Sequence, residues 1–224
     1  MTYNNIKRGI FLFRPNRFIA HIEIDGKEEI CHVKNTGRCK ELLIPGARVL
    51  VQKSSNPERK TKYDLISVYK GERLINMDSQ APNKVFAEWA WKYFKSISYI
   101  KPEAKYKNSR FDFYIEAEEK KIFVEIKGVT LEEEGVVLFP DAPTERGVKH
   151  IKELCSAIDD GYEAYIFFVV QMEGVKYFTP NKNTHPEFAL ALKEAKKKGV
   201  NICCVDCYAD KTELEIKNEV RVVL

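Results

Sequence analysis

The sequence predicts an α/β protein in two parts, a small β-barrel over residues 1–80 and a mixed-sheet α/β domain over residues 81–224. Three observations carry this. Residues 3–80 hold short apolar or alternating stretches separated by turn residues, and five or six strands in about 75 residues fit a small barrel of the kind that binds oligonucleotides. Residues 110–127 alternate with period two as a β-hairpin should. From residue 81 onward the order reads helix, hairpin, strand, helix, strand, helix, strand, which is an α/β sheet with a mixed edge.

In the first part the expected strands are residues 9–13, 18–24, 29–33, 48–52, 65–69 and 73–76. Asp25 and Gly26 supply a hairpin turn, and Pro45–Gly46 and Lys70–Gly71 punctuate in the same way. The loops between strands are basic: residues 14–17, 34–40 and 53–62. Arg14, Arg17, Lys34, Asn35, Arg38 and Lys40 are therefore the candidate nucleic-acid contacts of the barrel. Residues 35–37 (Asn-Thr-Gly) read as a tight turn before a short helical stretch at 38–43, with a direct phosphate contact left open.

Residues 79–83 read as linker and helix start, and residues 84–94 place Val85, Phe86, Trp89, Ala90 and Tyr93 at helical spacing. Glu88 lies off that stripe, so it is either a third acidic ligand or an ordinary solvent-facing glutamate.

The hairpin puts Phe111, Phe113 and Ile115 on one face of its first arm and Asp112 and Tyr114 on the other. Its second arm puts Ile122, Val124 and Ile126 on one face and Phe123, Glu125 and Lys127 on the other. Folding at Glu118–Glu119 superposes the two apolar faces and sets Asp112 opposite Glu125, with Arg110 opposite Lys127. Opposed Cβ atoms lie roughly 4.5–5.5 Å apart, so two carboxylates and a lysine would share one patch. Such carboxylates repel unless a cation sits between them, and oxygen-only ligation suits Mg²⁺ or Mn²⁺. Asp112, Glu125 and Lys127 are thus the candidate set for metal-assisted phosphodiester hydrolysis, with Asp112, Glu125 and Glu88 as candidate ligands. The alternative is a solvated hairpin face carrying a Glu–Lys surface pair.

Residues 136–139 form the next strand, and Thr144 can cap a helix that runs to about Asp160 and stops at Gly161. Its wheel predicts a buried stripe of Val148, Ile151, Cys155 and Ile158 and a polar face of Arg146, Lys149, His150 and Glu153. Arg146, Lys149 and His150 gather in the first two turns, where exposed backbone N–H groups favour phosphate. Residues 164–171 form a buried strand, 186–198 an amphipathic helix with a basic end, and 200–206 another buried strand. Cys204 and Cys207 have C-x-x-C spacing but point to opposite faces of a strand, so they read as buried thiols.

Composition narrows the classes further. A hydrophobic fraction of 44% is that of a globular chain, and no apolar run is long enough to span a membrane. With no export signal, the six cysteines are expected reduced and the protein cytoplasmic. Residues 1–80 hold 15 Lys/Arg against 9 Asp/Glu, a net +6, while the remaining 22 against 24 give −2. That skew assigns the phosphate grip to the first part, or is a chance fluctuation of a few charges.

Residues 35–37, 76–83, 109–112 and 124–130, and above all Leu138–Leu154 (Leu-Phe-Pro-Asp-Ala-Pro-Thr-Glu-Arg-Gly-Val-Lys-His-Ile-Lys-Glu-Leu), give the chain a further identity. In these segments it resembles the sugar fermentation stimulation protein A (SfsA) family. The resemblance implies an oligonucleotide-binding (OB)-like barrel followed by a restriction-endonuclease-like core of the PD-(D/E)xK type. It also implies DNA binding of low sequence specificity and a link to regulation of sugar utilisation. Asp112, Glu125 and Lys127 would be the active-site triplet, and Arg146, Lys149 and His150 would sit on the helix that completes such sites. Lys34 and the Cys31/Cys39 framing of the 35–37 loop depart from the family pattern. Two readings follow: a Mg²⁺- or Mn²⁺-dependent nuclease, and a non-catalytic DNA-binding regulator of sugar (maltose-type) utilisation genes. The sequence does not separate DNA from RNA, or single from double strands, and leaves the oligomeric state open.

Overall fold

A computed structural model describes residues 1–35 and 37–224; Thr36, the centre of the turn expected at 35–37, lies outside the described residues. The first six strands are β1 (Ile6–Asn16), β2 (Ile19–Ile24), β3 (Lys27–Val33), β4 (Arg48–Lys53), β5 (Tyr63–Lys70) and β6 (Arg73–Asn76). They order as β3-β2-β1-β4-β5-β6, and a parallel pairing of β3 with β5 closes the first five into a barrel. Closure removes the unpaired edges that an open sheet would expose. Asp25 and Gly26 both have positive φ (54° and 75°), the requirement of a two-residue turn matched to strand twist.

Residues 38–43 do not form the expected helix. Cys39 has φ 43°, and Leu42 and Leu43 donate to its carbonyl in a turn that Pro45 follows closely. A left-handed residue at the start and a proline at the end leave no room for propagation.

The second part begins with α1 (Ala81–Tyr93). Next come β7 (Ile97–Tyr106), β8 (Ser109–Ala117), β9 (Lys120–Val129), β10 (Leu131–Glu133) and β11 (Val136–Phe139). The remaining elements are α2 (Glu145–Asp159), β12 (Glu163–Val170), β13 (Tyr177–Pro180), α3 (Pro186–Lys198), β14 (Asn201–Ala209) and β15 (Leu214–Glu219). The main sheet runs β15-β14-β12-β9-β8-β7. Its centre, β14-β12-β9, is parallel, and antiparallel strands flank it on both sides. A small sheet, β10-β11-β13, stands beside it.

Two apolar layers sandwich the main sheet. On the α1 side Phe86 packs on Phe113 and Phe167 with ring centroids 5.2 and 5.0 Å apart. On the α2–α3 side Phe168 and Phe188 join a cluster that continues without a break into the barrel interior, through Met77, Leu42 and Val137. That continuity joins the two parts through buried apolar area. Cys204 lies in this second layer and Cys207 in the first, as opposite faces of β14 require, and all six cysteines are free thiols.

A buried polar spine crosses the same junction. Gln171 donates to the Asn76 side chain and the Asp78 carbonyl (2.9 and 3.0 Å), Asn76 donates to Tyr3, and the Lys34 ammonium meets Asp78 at 3.1 Å. Glu132 in β10 takes Lys70 and Arg73 of the barrel at 2.8 Å each.

Strands β7, β10, β13 and β15 are not among the elements expected from the sequence. In β7 only Ala104 and Tyr106 are buried, and the run carries Pro102, a left-handed φ of 52° at Glu103 and a register shift between Ile97 and Tyr99. An edge strand of this kind has no alternation to read. No helix among the described residues is long and apolar enough to cross a membrane.

Candidate active site in a basic cleft

Glu125 and Lys127 alternate with Val124 and Ile126 on β9, whose apolar side is held by the α1 layer. The strand is central: Glu125 aligns with Ile166 and Lys127 with Phe168 of parallel β12. Both side chains therefore sit towards the carboxyl end of a parallel strand, where open α/β sheets place ligands. Directly after Lys127, Gly128 leaves no room for a side chain. A Cβ there would lie 2.7 Å from Gln171 Oε1 and 2.8 Å from Pro82 Cγ.

The hairpin register is the one the apolar pattern predicts, with Phe113 opposite Val124 and Ile115 opposite Ile122. The β8–β9 ladder then ends at Phe113, one residue short of Asp112. Beyond it the arms part, and Asp112 fills the gap, accepting the Ile126 N–H on Oδ2 at 2.7 Å and the Asn83 amide on Oδ1 at 2.9 Å. The parting corrects one expectation. Phe111 does not share a face with Phe113, but packs on the α2 side against Phe123 and Tyr106, at 5.2 and 5.5 Å.

Glu125 is 2% exposed. Its Oε1 accepts Lys127 Nζ and His150 Nδ1, both at 2.5 Å, while Oε2 is buried with no hydrogen-bond partner. Burial alone would raise the Glu125 pKa, but the bonds from His150 and Lys127 outweigh it and hold the carboxyl below its ordinary value. Asp112 goes the other way. Burial and then the neighbouring Glu125 charge push it up, against the opposing pull of the Ile126 N–H, Asn83 and Lys127. The pair thus sets one carboxyl held below its ordinary pKa beside one pushed above it.

α2 completes the site. Thr144 caps it by accepting the Gly147 N–H at 3.1 Å, and Gly147 must lack a side chain, because a Cβ would lie 2.8 Å from Thr144 Cγ2. The buried face of α2 is Val148, His150, Ile151, Leu154 and Ala157. His150 therefore does not belong to the solvent face expected of it. At 6% exposure it turns inward to Glu125, because a carboxylate 2.5 Å from Nδ1 offsets the cost of burying an imidazole. Arg146 and Lys149 stay exposed, as expected.

These groups lie in a cleft of about 1130 Å³ lined by seven Lys/Arg and three Asp/Glu. One rim is the start of α1, with Gln80, Asn83 and Lys84; another is the β7–β8 turn, with Lys105, Lys107 and Arg110; the third is α2, with Arg146 and Lys149. Asn83, Lys84, Lys105 and Lys107 are not among the residues the sequence singles out, and Arg110, placed by the sequence opposite Lys127, is not among its candidate contacts. Lys105 near the end of β7 and Lys107 in the turn after it reach the cleft only once that edge strand is in place, and Asn83 acquires its partner only through the fold.

Other expected residues go elsewhere. Glu88 is not a third ligand: it pairs with the Met1 α-amino group at 2.8 Å and is absent from the cleft lining. It stands five residues after Asn83, about 140° further round the helix. Arg14 is occupied by backbone carbonyls of Asn35 and Gly37 (2.8 and 3.1 Å), so it braces the loop and is not a free phosphate contact. Lys34 is taken by Asp78 and Asp64 at 3.1 and 3.8 Å. The Asn35 side chain closes its own turn on the Gly37 N–H at 2.8 Å. Arg17, Arg38 and Lys40 are exposed but line no part of the cleft. The loop still abuts its rim, since Ser79 Oγ donates to the Lys34 carbonyl at 2.8 Å.

Among the described residues no group of three or more His, Cys, Asp or Glu is placed to hold a metal ion. His150 spends both ring nitrogens on protein partners, leaving the Asp112/Glu125 pair. Two carboxylates completed by water and substrate oxygens are a normal Mg²⁺ donor set. The bare, buried Oε2 of Glu125 fits a cation and has no hydrogen-bond partner in the protein.

Comparison with known proteins agrees with this architecture. A family model described as "SfsA N-terminal OB domain" matches residues 12–77, and one described as "Sugar fermentation stimulation protein RE domain" matches residues 80–213. A sugar fermentation stimulation protein homolog from Ruminiclostridium cellulolyticum is 64% identical, and one from Clostridium beijerinckii 62%, each over 226 residues and 100% of both chains. The solved structure of Pyrococcus furiosus SfsA in complex with Ca²⁺ superposes with a TM-score of 0.90 at 30% identity, covering 100% of this chain and 98% of that one. With both family models matched in tandem and relatives aligned end to end, this chain belongs to the sugar fermentation stimulation protein (SfsA) family.

Proposed function

We propose that this protein is a divalent-metal-dependent nuclease acting on DNA, with Asp112, Glu125 and Lys127 as its reacting groups. The observation that carries the reading is the buried, unpartnered Oε2 of Glu125 beside Asp112, on the floor of a cleft whose walls are cationic. A protein that only gripped phosphates would gain nothing from two carboxylates there, since they repel the ligand. A family relative of the same fold takes Ca²⁺, a hard cation with the same taste for oxygen ligands as Mg²⁺ and Mn²⁺.

In this reading Asp112 and Glu125 hold the metal. When bound, a divalent ion would supply Lewis-acid chemistry, polarising the phosphoryl oxygen and making water more acidic. Lys127, 2.5 Å from Glu125 and lining the cleft, would set its ammonium against the negative charge that develops on the scissile phosphate. Asn83 orients Asp112 through Oδ1. Arg146, Lys149, Lys84 and Lys105 bind flanking phosphates and carry no base information, which suits low sequence specificity.

The test is cleavage of labelled single- and double-stranded DNA with Mg²⁺ or Mn²⁺ against a chelator control, with Glu125→Gln alongside. Metal-dependent cutting lost in the variant is the expected result. DNA binding with no cutting of any substrate would replace this reading with a non-catalytic regulator.

A further inference from the structure

We propose that His150 is the positioning residue of the metal site: it grips one oxygen of Glu125 so that the other stays bare for the cation. The inference rests on the metal reading above and deepens it.

Arg146 stands one turn before His150 on α2. Its Nε lies 3.4 Å from His150 Nε2. A guanidinium nitrogen can only donate, so His150 Nε2 is the acceptor and the ring proton sits on Nδ1. That proton points at Glu125 Oε1, 2.5 Å away. The tautomer is thus set by a residue of the cleft wall, in the way that a neighbour of a metal-site group commonly sets it.

Lys127 also reaches Oε1, but the two donors are not equivalent. Lys127 ends a flexible four-carbon stem and faces the cleft, so an incoming phosphate competes for its ammonium. His150 is a rigid ring on a capped helix, 6% exposed, with its edge against Phe111 at 6.4 Å and 81°. Phe111 in turn packs on Phe123. The imidazole keeps its bond to Oε1 when Lys127 turns to substrate, and the carboxylate cannot swing to satisfy Oε2 elsewhere. His150 itself is no ligand, because both nitrogens are already engaged.

The test is calorimetric titration of the intact protein with Ca²⁺ and Mn²⁺, comparing wild type, His150→Ala and His150→Asn. Far-UV circular dichroism and the thermal midpoint of each metal-free variant serve as the folding control. His150→Ala should weaken metal binding by about 10- to 100-fold. Asn carries an amide N–H near the place of Nδ1–H, so His150→Asn should recover most of that loss. Nitrogen NMR of the wild-type imidazole should find the proton on Nδ1. Unchanged metal affinity in His150→Ala, equal weakening in both variants, or a proton on Nε2 would each overturn the inference while leaving the metal site standing. If His150→Ala fails to fold, His150→Asn and the tautomer still decide. A wild-type protein that binds neither ion overturns the metal reading and this one with it, an outcome visible before any substitution is made.

Discussion

The Asp112 carboxylate accepts the backbone N–H of Ile126 at 2.7 Å, just beyond the last paired residues of the β8–β9 ladder. A side chain here does what a strand partner would otherwise do. It lets the hairpin open by one residue without orphaning a buried amide, and the opening is the floor of the cleft.

Metal binding should report directly on the Asp112/Glu125 pair. At about 100 times its dissociation constant, Mn²⁺ should stabilise the fold by about 2.7 kcal/mol. For a chain of this size that is a rise in Tm of about 5–10 °C. Differential scanning calorimetry should show the rise in wild type, its reversal by chelator, and its absence in Glu125→Gln.

Lys127→Ala separates chemistry from grip. Six cations remain in the cleft lining, so DNA affinity in chelator should change by less than about threefold, whereas cleavage should fall by about 10²–10³. Equal loss of both would remove Lys127 from the reaction.

The salt dependence of binding should tell cleft cations from structural ones. Lys149→Ala and Lys105→Ala should each reduce the slope of log K against log salt by about one on duplex DNA. Lys34→Ala should leave the slope unchanged but lower stability by about 1–3 kcal/mol, because Asp78 is 1% exposed and loses its ammonium partner. Anisotropy titrations and urea unfolding measure the two effects.

The junction should be acid-sensitive through Glu132. Burial tends to raise its pKa, but the Lys70 bond, the Gly135 N–H and the Arg73 charge hold it below the ordinary glutamate value. A depressed acid contributes stability above its unfolded pKa of about 4.3 and loses it as pH falls through the folded value. Stability should therefore drop in that acid range, and Glu132→Gln should be less stable at pH 7 yet lose less between pH 7 and that range. Urea midpoints at both ends check it.

Period-two and helical patterning were enough to predict the barrel strands, the hairpin register, the Thr144 cap and α3 at its observed limits, because each depends on neighbours within a few residues. The juxtaposition of Asp112, Glu125 and Lys127 was legible for the same reason, since one hairpin carries all three. Tertiary structure decided the rest. Edge strands such as β7 bury too little to leave a pattern. Glu88 and Asn83 share a helix, and only the packing angle of α1 determines which of them meets Asp112. Arg14 and Lys34 looked like free cations until the fold brought carbonyls and carboxylates to them. His150 looked solvent-facing until β9 supplied Glu125. Local sequence specifies which faces a segment has, but what each face meets is set by distant segments, and burial then decides whether a charge is a tool or a brace.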